Sequence, residues 1–254
     1  GQHKVRIGFE PVVPGFRYVP FGNIDALRQE VSSRTCAIML EPVQGEGGVN
    51  VPPPGYLKAV NELCNEKDLL LIFDEVQVGC GRTGNLWAYE QEGIKPDIMT
   101  LAKALAGGAP IGALLTTGTL AERLGPGSHG STFGGNPLVC AAALAAMRAI
   151  SDDGILEHCR EMGTYLTGKL EQLKDRYDFI KDIRGRGLII GMELAIEGGE
   201  LVNAAMQRGL LINCTVGNVL RFVPPLIVTE EEVDEAVAIL DEVLAGVGPV
   251  EETK

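Results

Sequence analysis

Short apolar runs alternate with helical patterns through the first half of the chain. These runs lack the alternation of a half-exposed strand, and they predict strands at residues 36–40, 69–73, 98–101 and 111–116. Residues 54–67, between the first two, carry a helical pattern. Strands that are apolar on both faces belong to a mainly parallel sheet with helices on both faces. The pattern therefore predicts an α/β fold with functional groups at the carboxyl ends of the strands.

The second half of the chain predicts longer helices and a smaller α+β unit. Its segments are helices over residues 137–150 and 154–177 and strands near 188–194, 210–213 and 218–222. The last helix begins with a capping box formed by Thr229 and Glu232. Its apolar face carries Val233, Val237, Leu240 and Leu244. We therefore expect two domains, residues 1–153 and residues 154–254.

Composition narrows the class of protein. The 254 residues are 45% hydrophobic and 22% charged, as in an ordinary globular protein. A net charge of -12 without any run of Lys or Arg argues against nucleic acid or an anionic membrane as partner. Six cysteines are scattered without a CxxC pair, which favours a reducing, cytoplasmic compartment and predicts no metal site. Small-molecule chemistry is the better expectation.

Two residues that follow apolar strands carry the clearest chemistry. The run at residues 69–73 ends in Asp74, and Lys103 follows the strand at 98–101 in an apolar, glycine-rich loop. Pyridoxal 5'-phosphate requires an anion at its ring nitrogen and an amine at its aldehyde. An apolar setting lowers the pKa of a lysine and supplies the neutral amine. On pattern alone, a surface role for Lys103 is equally open.

Two nucleotide-binding interpretations compete with this one. An apolar strand ending in Asp74 and Glu75 also describes a Walker B strand. The nearest phosphate-loop candidate, residues 163–169, lies in a helical pattern, comes after the acidic strand and is followed by Leu170 where Ser or Thr is needed. Residues 79–84 match GxGxxG, but they precede a poor start for a phosphate-capping helix. We interpret the second motif as a structural loop near the site.

Six segments together resemble a known family. They read EPVQGEGG at residues 41–48, DEVQ at 74–77, GRTG at 81–84, TLAK at 100–103, HGSTFGGNP at 129–137 and LRFVPP at 220–225. In this order they resemble the class III, fold-type I aminotransferases, which use pyridoxal phosphate. The resemblance implies the large domain of that fold, a mainly parallel sheet with helices on both faces, and a smaller C-terminal α+β domain.

The resemblance also bears on the extent of the chain. Family members carry a long N-terminal portion ahead of the loop that resembles residues 8–11. The resemblance thus implies that residues 1–153 are a partial large domain and that the 254 residues are a C-terminal fragment. Made alone, such a fragment is expected to expose apolar surface and to show negligible transamination. A folded domain without turnover is therefore one alternative function.

The resemblance assigns roles around the cofactor. Lys103 binds the cofactor aldehyde covalently and then moves the proton between substrate and cofactor. Asp74 pairs with the ring nitrogen, Val76 packs on the ring face, and Gln77 bonds the ring hydroxyl. Ser131 and Thr132 belong to the phosphate site, where Thr132 reaches the phosphate of the neighbouring subunit. The last assignment implies a homodimer with its active site at the interface.

The resemblance finally assigns the substrate groups. Arg221 takes a carboxylate of 2-oxoglutarate or glutamate, and Glu46 masks Arg221 while a diamino acid presents its distal amine. The implied reaction is exchange of the distal amine of N-acetylornithine with 2-oxoglutarate, a step of arginine biosynthesis. Ornithine or other ω-amino acid transamination, or an aminomutase reaction, stays open as an alternative. His129 is left without a role.

Overall fold

The first sheet contains four strands in chain order. The computed structural model describes residues 2 and 5–247, and its first strands are β1 (Ala37–Leu40), β2 (Leu70–Asp74), β3 (Ile98–Leu101) and β4 (Ala113–Thr116). The first three run parallel, whereas β4 pairs antiparallel with β3. Residues 102–112, which join β3 to β4, contain only the short 3₁₀ helix Lys103–Ala106 and lack the α-helix that usually connects parallel strands. The predicted mainly parallel sheet is confirmed.

The two faces of this sheet differ in burial. Phe73 pairs with Met99, and both are buried on the face that the helices cover. Leu71 and Phe73 on this face pack with Leu57 and Val60 of the second helix. On the opposite face of the sheet, Met39 is 55% exposed and Leu114 is 54% exposed. These two large apolar side chains of the second face are thus about half exposed to solvent.

Seven α-helices and two 3₁₀ helices accompany the strands in the described residues. The α-helices are α1 (Ile24–Glu30), α2 (Tyr56–Lys67), α3 (Gly118–Ala121), α4 (Pro137–Asp152), α5 (Ile155–Lys174), α6 (Gly199–Gln207) and α7 (Glu230–Ala245). The 3₁₀ helices span Ala88–Glu92 and Lys103–Ala106. Thr229 and Glu232 form the predicted capping box of α7. The predicted break between α4 and α5 is present, while the division into two domains there stays a prediction.

The second sheet is antiparallel throughout. Its strands are β5 (Ile180–Arg186), β6 (Ile189–Leu194), β7 (Asn213–Thr215) and β8 (Val219–Phe222), in the spatial order β5-β6-β8-β7. Helices α5, α6 and α7 bury its apolar side chains in the largest core of the molecule. Strands β6 and β8 confirm two predicted strands. The strand predicted at residues 210–213 was placed too early, since β7 begins at Asn213 and pairs it with Arg221.

A contact between three glycine-bearing segments holds the second sheet against the first. Gly187, in the turn between β5 and β6, has φ +54°, and a Cβ there would lie 2.6 Å from the Thr83 carbonyl carbon. Gly163 of α5 approaches the same turn from the other side, where its Cβ would lie 2.4 Å from the Gly187 carbonyl oxygen. Residues 163–169 are therefore part of a helix with a close backbone contact, which removes them as a phosphate loop.

Substitution within α5 tests this contact. Gly163→Ala places a methyl group against the Gly187 backbone, and we expect a loss of roughly 1–3 kcal/mol in the free energy of unfolding. Gly168→Ala in the same helix is the matched control, because nothing lies within 4 Å of its Cβ position. Better helix propensity should make that control neutral or up to about 1 kcal/mol more stable. Urea unfolding of both variants measures the difference, and equal stabilities would contradict the contact.

Candidate active site

The carboxyl ends of the parallel strands bring the predicted groups together. Glu41 follows β1, Asp74 ends β2, and Lys103 comes two residues after β3. Asp74 lies beside Thr100 in the strand register, and its Oδ1 accepts bonds from the Thr100 hydroxyl at 3.2 Å and from the Val76 amide at 3.0 Å. Both bonds go to Oδ1, so within the described residues Oδ2 is left for an incoming donor. Val76 itself is half-buried.

Lys103 occupies a strained backbone position. Its φ of +48° lies in the left-handed region, which costs a residue with a Cβ about 1–2 kcal/mol. The residue is exposed, so the predicted apolar setting covers only part of the side chain. Burial of that part still lowers the pKa of the ammonium. The direction predicted from the sequence is therefore confirmed.

Four charged groups act on Lys103. After burial, the charge of Arg221 lowers the pKa of Lys103 further, whereas the carboxylates of Glu46, Glu41 and Asp74 raise it. Such effects require each of the four groups to lie near Lys103, which makes a cluster of five. The sequence singled out four of them, and the structure adds Glu41, whose pKa is raised chiefly by burial.

A loop after β1 brings Glu46 to this cluster. The Glu41 carboxylate accepts a bond from the Gly45 amide at 3.0 Å, which ties the loop back to the end of the strand. A Cβ on Gly45 would lie 2.4 Å from the Gln77 side chain, so the loop packs directly on Gln77. The Glu46 side chain stays 62% exposed. The loop thus places an exposed carboxylate beside the amide side chain of Gln77.

Arg221 is buried on β8 and reaches the cluster from the second sheet. Its Nη1 lies 2.7 Å from Glu46 Oε1 and donates to Gln77 Oε1 at 3.0 Å. Its Nε donates to Asn213 Oδ1 at 3.2 Å. The residue is only 8% exposed, so losing Glu46 would leave the guanidinium in need of another anion. The ion pair expected from the sequence is present, and its role as a gate stays a prediction.

Ser131 and Thr132 lie apart from these bonds. Both are exposed, and the Ser131 hydroxyl accepts a bond from the Gly134 amide at 2.8 Å within its own loop. Asn136 then caps α4, since its Oδ1 accepts from the Val139 amide at 3.2 Å. The loop faces solvent in this single chain. Its assignment to the phosphate of a neighbouring subunit stays a prediction.

Glu75 is a buried acid that the sequence analysis considered only in the Walker B interpretation. It is 1% exposed, and its two carboxylate oxygens accept bonds from the Ala88 amide at 3.0 Å and the Tyr89 amide at 3.1 Å. Burial raises its pKa to about 7, against the lowering effect of those two bonds. Glu75 thereby ties the 3₁₀ helix to the residue next to Asp74.

Glycines in the GxGxxG match serve packing. A Cβ on Gly81 would lie within 3.1–3.3 Å of Ile150, Leu156 and Leu226. A Cβ on Gly79 would lie 2.9 Å from the Glu75 carbonyl oxygen. These contacts support the structural interpretation of the loop. Among the described residues, no group of three or more His, Cys, Asp or Glu is placed to hold a metal ion, and no helix has the length and hydropathy to cross a bilayer.

The groups that the sequence analysis missed follow two signals. Glu41 ends a predicted parallel strand, as Asp74 does, so the rule that strand ends carry function would have found it. Thr100 becomes a partner of Asp74 only through the register of β2 and β3. Asn213 becomes a partner of Arg221 through the register of β7 and β8. The register of two paired strands cannot be predicted from the local sequence pattern of either one.

The pKa of Glu75 predicts a pH-dependent stability. Because its folded pKa of about 7 exceeds the ordinary value of 4.5, the folded state holds a proton that the unfolded chain releases at lower pH. This contribution to stability is therefore present below the ordinary pKa and falls as pH rises toward about 7, with a slope of up to about 1.4 kcal/mol per pH unit. Glu75→Gln should remove this slope.

Urea unfolding across that pH range measures the slope. Glu62→Gln, which replaces an exposed acid of α2, is the matched control and should keep the original slope. A lower overall stability of Glu75→Gln is expected as well, since the amide presents a donor to backbone donors. An unchanged slope in Glu75→Gln would show that this acid does not titrate as described.

Comparison with known proteins gives this cluster a context. The chain is 52% identical over 244 residues to an acetylornithine aminotransferase from Methanocaldococcus jannaschii, with 94% of this chain and 60% of that protein aligned. It is similar to an ornithine aminotransferase from Toxoplasma gondii at TM-score 0.92 and 39% identity, covering 97% of this chain and 59% of that one. An acetylornithine aminotransferase from Elizabethkingia anophelis matches at TM-score 0.87 and 38% identity, with 92% and 64% covered.

These comparisons settle the family and confirm the expected fold class. The chain spans about 60% of the length of the curated relative named above. The family model for class III aminotransferases matches residues 1–244. With that match and about half of its residues identical to those of a curated member, this chain belongs to the class III aminotransferases.

Proposed function

We propose that this chain belongs to a pyridoxal-phosphate-dependent aminotransferase that exchanges the distal amine of N-acetylornithine with 2-oxoglutarate. The observation that carries the proposal is the joining of Lys103, Asp74 and Arg221 in one charged cluster. The choice of substrate rests on relatives: the acetylornithine aminotransferase is 52% identical, whereas the ornithine aminotransferase is 39% identical. Ornithine transamination is therefore the second candidate. A cytoplasmic homodimer is part of the proposal.

The donors and acceptors of the cluster fit pyridoxal phosphate. When bound, this group supplies an aldehyde that takes an amine and a protonated ring that withdraws electrons from the adjacent carbon. Asp74 has a carboxylate oxygen to pair with the ring nitrogen, and Lys103 has an exposed amine whose pKa is lowered. Val76 would pack on the ring and Gln77 would bond its hydroxyl. Ser131 and Thr132 would hold the phosphate of the neighbouring subunit.

Lys103 holds and moves the proton. A lowered pKa leaves more of its Nζ neutral at physiological pH, so Nζ can attack a carbonyl carbon. Once released by the incoming amine, the same Nζ is free to act as a general base and then as an acid, a role worth roughly 10²–10⁴-fold in rate. The exposed position of the side chain leaves room for that movement.

Arg221 and Glu46 would separate the two half-reactions. With Glu46 paired to it, Arg221 is neutralised and an amine donor can bind without offering it a carboxylate. With Glu46 swung into solvent, the guanidinium can take a carboxylate of 2-oxoglutarate in two parallel bonds. Asn213 and Gln77 keep the guanidinium oriented in both arrangements.

The donor preference tests the reaction. Full-length protein supplied with pyridoxal phosphate and 2-oxoglutarate should form glutamate with kcat/KM at least about tenfold higher for N-acetylornithine than for ornithine, as a pocket that binds the acetyl group would give. Lys103→Ala should lower kcat by about 10³-fold or more, because both covalent binding and proton transfer are lost. Lys95→Ala, at an exposed position, is the matched control. A preference for ornithine would establish the second candidate.

Single-turnover measurements test the role of Arg221. Arg221→Ala should weaken the glutamate half-reaction by roughly 100-fold in kcat/KM, because a buried partner of the substrate carboxylate is removed. The amine-donor half-reaction should change by less than about threefold, since it does not use the guanidinium. Arg208→Ala removes an exposed arginine and should leave both unchanged. Equal loss in both half-reactions would make Arg221 a structural residue.

A further inference from the structure

Arg184, on β5, bonds the backbone of the loop at residues 44–50, which carries Glu46. Its Nε donates to the Gly48 carbonyl and to the Val49 carbonyl, each at 3.2 Å. Its Nη2 donates to the Gly48 carbonyl as well, at 2.8 Å. Three hydrogen bonds from one side chain therefore attach this loop to the second sheet.

Two carboxylates neutralise the same guanidinium. Its Nη1 lies 3.0 Å from Asp182 Oδ2 and 2.5 Å from Glu193 Oε2, and the side chain is 19% exposed. Each of the three nitrogens thus has a partner within the protein. Arg184 therefore acts on the loop as a set of hydrogen-bond donors and is not a second site for a substrate carboxylate.

Arg184 and Arg221 lie in one row across the second sheet. Arg184 pairs with Gly191 of β6, and Gly191 pairs in turn with Arg221 of β8. Residues directly opposite each other on antiparallel strands have their side chains on the same face of the sheet. The two arginines therefore lie on one face, about 10 Å apart at two strand spacings, with a glycine between them.

The loop fills the space above that glycine. Val49 is fully buried, and a Cβ on Gly191 would lie 2.9 Å from the Val49 Cβ. Val49 also has φ +51°, a left-handed conformation that persists only where its surroundings hold it. Arg184 supplies part of that hold at the Val49 carbonyl. The loop thus lies between two arginines, with its carbonyls on Arg184 and its Glu46 carboxylate on Arg221.

We propose that Arg184 is a positioning residue for the pair of Glu46 and Arg221. Its bonds to the loop keep the Glu46 carboxylate within reach of the Arg221 guanidinium. In this way Arg184 sets how often that guanidinium is free to take a substrate carboxylate. The inference rests on the proposed function, since masking of Arg221 matters only where a substrate carboxylate binds to it.

The exposure of Glu46 gives this hold its effect. The side chain is 62% exposed and meets Arg221 through one contact, from Oε1 to Nη1 at 2.7 Å. An exposed carboxylate gains little from a single ion pair when its own position is not fixed. Without the bonds from Arg184, Arg221 would be unmasked more often. Its apparent affinity for a carboxylate would then rise, because that affinity scales with the fraction of the protein able to bind.

Calorimetry with 2-oxoglutarate measures this change. Full-length protein loaded with pyridoxal phosphate binds this acid without turnover, because the acid has no amine to donate. Arg184→Gln should tighten binding by roughly three- to tenfold, in proportion to the unmasked fraction. Arg184→Lys should tighten it as well, since one ammonium lacks the fork that bonds two carbonyls and two carboxylates together. Weaker binding in these variants, as general damage to the site would give, would overturn the proposal.

Arg186→Gln is the matched control. Arg186 lies on the same strand, its side chain is also 19% exposed, and its bonds go to Gln91 and Glu92 of the first 3₁₀ helix. It should lower the melting temperature while leaving the affinity for 2-oxoglutarate within about twofold of wild type, as for an independent site. The same gain in affinity in Arg186→Gln as in Arg184→Gln would mean that any loosening of the sheet suffices, which would contradict the specific role of Arg184.

A variant of Glu193 covers the case in which the Arg184 variants do not fold. Glu193→Gln removes one ion pair at Arg184 Nη1 and keeps the guanidinium. It should tighten the binding of 2-oxoglutarate by a smaller factor than Arg184→Gln. Unchanged affinity in Glu193→Gln would then count against the proposal.

A double-mutant cycle with Glu46→Ala identifies the route. Removing the Glu46 carboxylate should itself tighten the binding of 2-oxoglutarate. Adding Arg184→Gln to it should then change the affinity by less than about twofold, since both substitutions act through the same ion pair. An equal gain from Arg184→Gln in the presence and absence of the Glu46 carboxylate would show that Arg184 does not act through Glu46.

Turnover distinguishes this inference from the proposed function. Wild-type protein that binds 2-oxoglutarate but transaminates neither N-acetylornithine nor ornithine would refute the proposed reaction. Tighter binding in Arg184→Gln would still support the positioning role in that case. Equal affinities in wild type and Arg184→Gln would refute the positioning role whatever the reaction.

Discussion

The bonds of Arg221 link the second sheet to the loops at the carboxyl edge of the first. One guanidinium on the second sheet meets Glu46 and Gln77, which extend from the carboxyl edge of the first. Because the guanidinium is buried, its partners must be in place for the folded state to tolerate the charge. Together with the bonds from Arg184 to the Gly48 and Val49 carbonyls, this junction sets where Lys103 and Asp74 lie relative to the second sheet.

Close backbone packing adds a second contact, between the turn after β5 and the loop at residues 82–84. Gly187 and Gly163 allow the turn, the helix and the loop at residues 82–84 to approach without side chains between them. A single Cβ in that stack would have to move backbone atoms, which do not yield as a flexible side chain does. The ion pair at Arg221 and the close packing at Gly187 thus act at different points of the second sheet, one by attraction and one by exclusion of volume.

The local pattern predicted the elements that are regular and left out those that are not. Strands β1, β2 and β3 are short apolar runs, so both their existence and the chemistry at their ends could be predicted. Strand β5 was missed because a bulge between Ile180 and Asp182 breaks its alternation and leaves apolar residues three apart. Helix α6 was missed because Gly198 at its start offers no side-chain cap. The contact of Arg82 with Pro224 joins residues 142 positions apart, which no local pattern encodes.

Strain at Lys103 ties the position of an amine to the stability of its surroundings. The left-handed backbone there persists only because the 3₁₀ helix that follows is held down, with Leu105 and Ala106 buried under α4. If that packing loosened, the backbone at Lys103 would relax to an ordinary conformation and carry Nζ away from Asp74. Substitutions in α4, outside the charged cluster around Lys103, would then displace the Lys103 amine before they unfolded the protein.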